Sequence, residues 1–566
     1  MVEIKCNNNP KIITDLRHLV KSSAELYGDR TFYTYKEGKE IKTLSFKDTY
    51  DRMNAIGTAM SALGIMGTHI AVIGDTHPSY MTTFFATVNG GGVIVPLDKD
   101  LKDEDIIAFM NVAEVTAVFY TESFNKRIIK YSDQIPTLKY CVPIIAETED
   151  CDGEKVRSFD SLLELGRKEL ENGNTSFLDY EIVLDKLCAI LFTSGTTGTS
   201  KGVMLSHRNF TAATNAACQA MKQYGPDSYF VDALPMHHSY EITCGQLAIF
   251  NIGSQMFIND SIKNVMRNFQ TYKPNSEMLV PLYVETMHKR IWSEIEKKGM
   301  TKKVKFAIKL SNALLKVGID LRDKLFAQIR GPLGGELRSI VCGGAPVNPQ
   351  LIKDFRAFGI LVIEGYGITE CSPLVAVNPP NKIKYHSVGR PVDCCQVKID
   401  KKDGEETGEI LVKGENVMMG YYNNEEATRE VMTEDGWFRT GDIGYMDKDN
   451  YIYITGRKKN VIILSNGKNV FPEEIEERLK MFDIIGESVV LARNADGGDP
   501  RITALIYPNQ ELVAGKSKEE IEAMVKEAIT ELNRQLPVYK QIRDVEVRET
   551  EFEKTTSRKI KRHVLK

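Results

Sequence analysis

The stretch Leu191-Phe192-Thr193-Ser194-Gly195-Thr196-Thr197-Gly198-Thr199-Ser200-Lys201-Gly202 narrows what this chain can fold into more than any other. The apolar run before it, Leu187 to Phe192, reads as a buried strand, which breaks where small hydroxylated residues and glycines take over. The glycines let successive backbone N–H groups turn toward one point, the hydroxyls add donors, and Lys201 adds a positive charge. That is a device for holding a polyphosphate. It departs from the P-loop pattern, because no glycine precedes Lys201 and Gly202 follows where a Ser or Thr would bind magnesium. A polar turn after a strand is the plain alternative; the biased composition of the whole run argues against it.

The chain of 566 residues is too long for one compact core, so several subdomains are expected. A net charge of −4 argues against bulk binding of nucleic acid. The ten cysteines are scattered without metal-like pairs, and the adjacent Cys394-Cys395 cannot easily bridge each other, which fits a reducing cytosol. The N-terminus has no apolar signal core, and no apolar run is long enough to span a bilayer. The expectation is a soluble or at most peripheral protein.

Up to about residue 180, helix-like and strand-like segments alternate, as in parallel βα units. Ala71-Val72-Ile73 ends at Gly74, a helix-like stretch runs from Tyr80 to Val88, and Gly90-Gly91-Gly92 reads as a tight turn into the strand Val93-Ile94-Val95. After the glycine-rich loop comes Leu234-Pro235-Met236-His237-His238-Ser239-Tyr240-Glu241, which in isolation is a turn. Met278 to Tyr283 reads as a strand followed by a break. From Ala307 on, Leu310, Leu314, Val317, Leu321 and Leu325 recur at three or four residues, one helix face, with seven basic residues between Lys302 and Lys324 on much of the rest. A helix packed on the body with a solvated basic face is the favoured reading; a helix lying on an anionic membrane is the alternative.

Further motifs lie downstream. Ile340-Val341-Cys342 reads as a strand and Gly343-Gly344-Ala345-Pro346 as a tight loop where backbone can approach a flat ring. In Glu364-Gly365-Tyr366-Gly367-Ile368-Thr369-Glu370, the glycines free the Tyr366 ring to stack on a base, Thr369 can donate to a phosphate, and Glu370 offers a hard oxygen to Mg²⁺. Gly408 to Gly414 looks like a strand, Asp435-Gly436-Trp437-Phe438-Arg439-Thr440-Gly441-Asp442 contains a turn, and Gly456-Arg457-Lys458-Lys459-Asn460 is a polar junction. Pro472 with Glu473 and Glu474 marks a helix start. The basic tail, Phe552 to Arg562, reads alone as a frayed end.

Taken in order, these motifs resemble those of the adenylate-forming enzymes, the superfamily of acyl-CoA synthetases, luciferases and adenylation domains. The resemblance runs from about residue 30 to the end, and the region from Val280 to Arg338 is most similar to long-chain fatty acyl-CoA synthetases. It implies an α/β fold: a large N-terminal domain of several subdomains, residues 1–455, and a small mobile α+β domain, residues 456–566. It implies ATP binding by Thr193, Ser194, Gly195, Thr196, Thr197, Gly198 and Lys201, by Gly344 and Ala345, by Glu364, Gly365, Tyr366, Gly367 and Thr369, and by Asp442 and Arg457. Mg²⁺ would be held by Thr193 and Glu370, His238 would lie beside the carboxylate being activated, and Lys559 would bridge that carboxylate and the α-phosphate. Lys459 would be the hinge, and Asn466, Gly467 and Lys468 would complete a channel for CoA. The implied reaction joins a fatty acid to AMP with release of pyrophosphate, then transfers the acyl group to CoA. Loading of a carrier-protein phosphopantetheine, or a nucleotide-binding regulator without catalysis, are the alternatives. Two departures stand out: Ile463 occupies a position where some relatives carry lysine, and Arg558 replaces the usual glycine before Lys559.

Overall fold

In the computed structural model, the residues described are 8–145, 154–193, 200–464, 468–494, 500–554 and 560–565. They form two compact units: one up to Thr193 with Ser200–Gln396 and Lys413–Glu430, the other Val397–Val412 with Val431–Lys566. The smaller unit thus takes in a sheet that precedes Gly456 in the chain.

The larger unit is built on three sheets. The central one has seven strands, in the order Gly420–Tyr421, Lys201–Ser206, Leu187–Thr193, Val93–Leu97, His69–Ile73, Ala117–Tyr120 and Tyr140–Pro143. Its Val93, His69, Ala117 and Tyr140 strands are mutually parallel, and Leu187–Thr193 joins them in parallel. Strands covered on both faces become continuous apolar runs, and Ile70 to Ile73 and Ala117 to Tyr120 are buried throughout. The helix Pro78–Asn89 is buried on all sides, with Pro78 in its first turn behind the His77 cap. Two of its buried hydroxyls bond within the helix: Thr83 Oγ1 donates to the Ser79 carbonyl at 2.9 Å and Thr82 Oγ1 to that of Pro78 at 3.3 Å.

A five-stranded sheet, Ser276–Leu279, Ser339–Cys342, Leu361–Gly367, Leu374–Val377 and Arg390–Pro391, and a four-stranded one complete the unit. Here three readings are corrected. The strand expected over Met278–Tyr283 stops at Leu279, and the helix Pro281–Lys297 takes over, with Pro281 in its first turn. The helix expected from Ala307 is Thr301–Lys316, ended before Gly318 in a left-handed conformation (φ +82°). The side of it packed on the core carries Val304 and Ser311 with Ala307 and Ile308, whereas Leu310, Val317 and Leu325 of the expected face are exposed. Finally, Gly365 and Gly367 do not free the Tyr366 ring, which is buried within the strand Leu361–Gly367. A side chain at Gly367 would put its Cβ 2.6 Å from the Pro373 carbonyl oxygen, so close backbone packing demands that glycine.

The smaller unit has a four-stranded sheet that includes Phe438–Met446 and Ile452–Arg457, and a three-stranded one, Ile485–Asn494, Pro500–Pro508 and Asp544–Val547. The helices Pro472–Leu479 and Lys518–Gln535 contribute Ile475, Leu479, Val525 and Ile529 to the core beside that second sheet.

Candidate active site

In the larger unit the strands on either side of the glycine-rich stretch pair as the two arms of an antiparallel hairpin. Thr193 and Lys201 are paired residues at the facing ends of Leu187–Thr193 and Lys201–Ser206, and Thr193 Oγ1 lies 3.4 Å from the Lys201 carbonyl. A polyphosphate held there would meet strand ends and Lys201, since the next helix begins only at His207, behind the Ser206–Asn209 capping box. Ser194, Gly195, Thr196, Thr197 and Gly198 lie outside the described residues.

A strap, Glu415 to Tyr422, ties this hairpin to the turn that carries Glu370. Tyr422 N–H donates to the Gly202 carbonyl at 2.7 Å, Met419 N–H to Met204 at 3.0 Å, and Met418 N–H to the Glu370 carbonyl at 2.8 Å. The strap is itself anchored. Asn209 Nδ2 donates to the carbonyls of Glu415 and Val417 at 2.7 and 2.8 Å, and Asn416 Nδ2 to that of Leu374 at 2.7 Å. Thr369–Cys371 form one 3₁₀ turn, closed by Ser372 in a left-handed conformation (φ +63°).

The strap delivers a residue that sequence reasoning missed. Tyr421 donates its phenol proton to Glu370 Oε1 at 3.0 Å, and Lys201 Nζ stands 4.8 Å from the centroid of the Tyr421 ring. Burial first, and then the Glu370 charge, hold the Tyr421 phenol well above its ordinary pKa, so it stays a donor. Lys201, Tyr421 and Glu370 are thereby one array drawn from three distant parts of the chain. The available signal was Asn416, a polar residue leading into the apolar run Val417-Met418-Met419 and so in need of buried partners.

The histidine motif comes to the same turn. Ser239 Oγ donates to Thr369 Oγ1 at 3.4 Å, and Tyr240 donates to the Val341 carbonyl at 3.1 Å. The Tyr240 ring sits over Gly343, whose added Cβ would lie 3.5 Å from it. Gly344 (φ +89°) and Ala345 are exposed, which leaves their backbone open to a flat ligand. His238 follows His237, their rings 4.2 Å apart, and His237 Nε2 lies 3.3 Å from Asp98 Oδ2. Glu241 then opens a π-helical turn, Glu241–Leu247, a distortion frequent at functional sites. Glu364 and Gly365 belong to the strand that ends at Gly367, just before the Thr369–Cys371 turn.

In the smaller unit, Asp442 and Arg457 are partners across an antiparallel ladder. Arg457 Nε meets Asp442 Oδ1 at 2.8 Å, and Arg457 Nη1 donates to the Thr440 carbonyl at 3.2 Å. Asp442 is buried in its strand, not displayed on a surface turn. Lys459 sits in the 3₁₀ turn Lys458–Asn460, pinned on one side by Lys458 to Glu409 at 2.9 Å and on the other by Asn460 to Glu473 at 2.5 Å. Lys468 Nζ lies 4.4 Å from the Tyr539 ring centroid. Asn466, Gly467 and Lys559 lie outside the described residues. The tail on either side of Lys559 is not frayed: Phe552 is buried, Lys554 pairs with Ile560 and with Glu487, and Arg562 is bonded to Glu476 and to the Val490 carbonyl.

Residues 20–422 match the family described as AMP-binding enzyme, and residues 459–566 match the AMP-binding enzyme C-terminal domain. The chain belongs to the AMP-binding enzyme family. Among its relatives are a long-chain-fatty-acid–CoA ligase, ACSBG1, of Homo sapiens, 27% identical over 507 residues (83% of this chain, 68% of that protein), and FadD15, another such ligase, of Mycobacterium bovis, 29% identical over 485 residues (82% and 77%). A fatty acyl-CoA synthetase A of Dictyostelium discoideum is 29% identical over 477 residues, 80% of this chain and 70% of that one. The fold is that of the anthranilate CoA ligase AuaEII in complex with anthranoyl-AMP, with a TM-score of 0.76 at 19% identity over 99% of this chain and 98% of that one. It is also that of an o-succinylbenzoate–CoA synthetase from Bacillus subtilis in complex with ATP and magnesium, with a TM-score of 0.71 at 20% identity over 96% and 98%. For this AMP-binding enzyme, membership of the adenylate-forming superfamily and the α/β architecture expected from its motifs therefore stand.

For Mg²⁺ the residues present fit. Glu370 is a carboxylate whose one oxygen is fixed by the Tyr421 phenol, and it stands on a turn strapped to the hairpin that carries the Thr193 hydroxyl. Hard oxygen donors of this kind suit a hard cation that also keeps waters and phosphate oxygens.

Proposed function

We propose that this protein is an acid–thiol ligase that activates a long-chain fatty acid with ATP and Mg²⁺ and transfers it to CoA. Attack of the carboxylate oxygen on the α-phosphorus forms acyl-AMP and expels pyrophosphate; attack of the CoA sulfur on the acyl carbon then expels AMP. The array Lys201–Tyr421–Glu370 beside the Thr193 hairpin carries the reading, because it gathers cationic and hydrogen-bonding groups where a triphosphate would lie. The named relatives support the fatty acid and CoA as substrates.

The chain's own residues divide the work. Lys201 and the loop hold the leaving phosphates, and Glu370 with Thr193 would hold the metal, which supplies charge neutralisation on the phosphates when bound. His238 orients the carboxylate, the exposed Gly344-Ala345 backbone receives the adenine, and Asp442 with Arg457 takes the ribose. Lys559 adds positive charge during adenylation. A boundary at residue 456 with a hinge at Lys459 would let the smaller domain turn between steps, with Asn466, Gly467 and Lys468 lining the way for CoA. A cytoplasmic location fits the cysteines, none of which forms a disulfide among the described residues. The test is pyrophosphate release across a panel of acids, with and without CoA. Turnover of palmitate-like acids with CoA-dependent release of AMP is expected; preference for acetate or amino acids would overturn the long-chain assignment.

A further inference from the structure

The helix Thr301–Lys316 is held to the core by one side and leaves an unusual opposite side. Phe306 is 67% exposed, Leu310 42% and Val317 71%. At about 100° per residue, Phe306, Leu310, Ala313 and Val317 form a single stripe on the side away from Val304 and Ser311. Met300 and Ile319, just beyond the two helix ends, are exposed as well. The helix carries Lys302, Lys303, Lys305, Lys309 and Lys316 and no acidic residue. The same geometry places Lys302, Lys305, Lys309 and Lys316 along one edge of the stripe and Lys303 along the other. The helix Lys518–Gln535 shows the ordinary arrangement: Val525, Ala528, Ile529 and Leu532 face inward, and the exposed side mixes lysines with glutamates.

We propose that Thr301–Lys316 is a docking surface for an anionic phospholipid bilayer. Apolar side chains along the outward side of a helix, flanked by cations alone, suit insertion into the headgroup boundary. The flanking lysines can lay their methylenes along the apolar stripe and put their ammonium groups among lipid phosphates. Val304 and Ser311, locked in the core, fix which side faces outward. The proposal stands independently of the acyl substrate.

The test is sedimentation of the full chain with vesicles of phosphatidylcholine alone and with vesicles containing one-third phosphatidylserine. Binding to the second kind is expected, weakening as salt shortens the screening length from about 10 Å at 0.1 M to about 3 Å at 1 M. Lys305→Glu with Lys309→Glu, and separately Phe306→Ser with Val317→Ser, should each lower partitioning by on the order of tenfold or more. Lys526→Glu, on the other exposed helix, should leave it unchanged. The replaced side chains lie outside the core, so the unfolding curves should match the parent; Phe306→Trp, whose emission should shift to the blue only with anionic vesicles, reads the same contact without removing it. No binding to anionic vesicles, equal binding to both kinds, or binding that survives the stripe and lysine changes would overturn the proposal. So would association of the free chain into dimers that Phe306→Ser with Val317→Ser abolishes, which would make the stripe a contact between two copies.

Discussion

The two units assemble their site residues in opposite ways. In the larger one, Lys201, Glu370 and Tyr421 come from distant parts of the chain and are brought together by backbone hydrogen bonds from a strap. In the smaller one, Asp442 and Arg457 are neighbours across one ladder, so the hairpin alone positions them. Non-local assembly makes the first site dependent on anchors such as Asn209 and Asn416, whose side-chain amides bond to backbone carbonyls of the strap and of Leu374; the second is held by its own strands.

The largest expected effect separates the two reaction steps. Lys559→Ala should slow adenylation by on the order of 10²–10³-fold, the usual cost of one lost transition-state donor. Supplied with preformed acyl-AMP, it should make acyl-CoA at nearly the parent rate, whereas Lys459→Pro should show the reverse pattern because a fixed φ hinders rotation. Measuring both half-reactions decides it. A parallel fall of both in Lys559→Ala would remove the moving-domain account. Arg558→Ala and Lys561→Ala should keep most adenylation activity; loss in Arg558→Ala alone would shift the register of the tail.

Next in size is the strap. Tyr421→Phe removes the hydrogen bond that the strap supplies to the Glu370 carboxylate, a charged-group bond contributing roughly 1.5–3 kcal/mol. Adenylation should fall by about tenfold or more, and the Mg²⁺ concentration for half-maximal rate should rise. A rate loss that saturating Mg²⁺ does not reduce would leave Tyr421 as packing only. Asp442→Asn should have the smaller, local effect: a raised KM for ATP of around tenfold with kcat less changed, since ribose binding is felt alike before and during the reaction.

That contrast also explains what could be read beforehand. The hairpin loop, Gly343 to Ala345, the Glu370 motif and Asp442 are contiguous in sequence, so composition and spacing reach them. Tyr421 is not, because its role depends on which strand Gly420–Tyr421 pairs with, and that partner lies far back in the chain at Val203 and Met204. The helix Thr301–Lys316 failed for another reason. Apolar residues repeat on two of its sides, with Val304, Ala307 and Ile308 on one and Phe306, Leu310 and Val317 on the other, and periodicity alone does not tell which is inward. The tail could not be seen to be fastened, since Glu476 and Glu487 are remote from Arg562 and Lys554.

The smallest expected effect concerns carboxylates that, unlike Asp442, meet no arginine among the described residues. Asp232, Glu241 and Glu277 are all buried in the larger unit, Asp232 two residues before the histidine motif and Glu241 at its end. Tyr33 donates to Gln246 Oε1 at 2.7 Å, and Gln246 Nε2 donates to Glu241 Oε1 at 2.6 Å and faces Asp232 Oδ2 at 3.5 Å. The backbone N–H groups of Leu234 and Val231 donate to Asp232 and Glu277 at 3.2 and 2.9 Å. Burial raises all three above the ordinary carboxylate range, Asp232 to about 7, and their mutual repulsion adds to the rise for Glu241 and Glu277. A carboxyl with a raised folded pKa binds more protons folded than unfolded, so its contribution to stability is full below the unfolded value near 4 and is lost as pH rises through the folded value. The larger unit should therefore lose a few degrees of unfolding midpoint between about pH 5 and 8. Asp232→Asn, which keeps an oxygen to accept from Leu234 but cannot ionise, should flatten that slope, while Asp442→Asn should leave it alone. Equal slopes in parent and Asp232→Asn would mean that Asp232 does not carry the dependence.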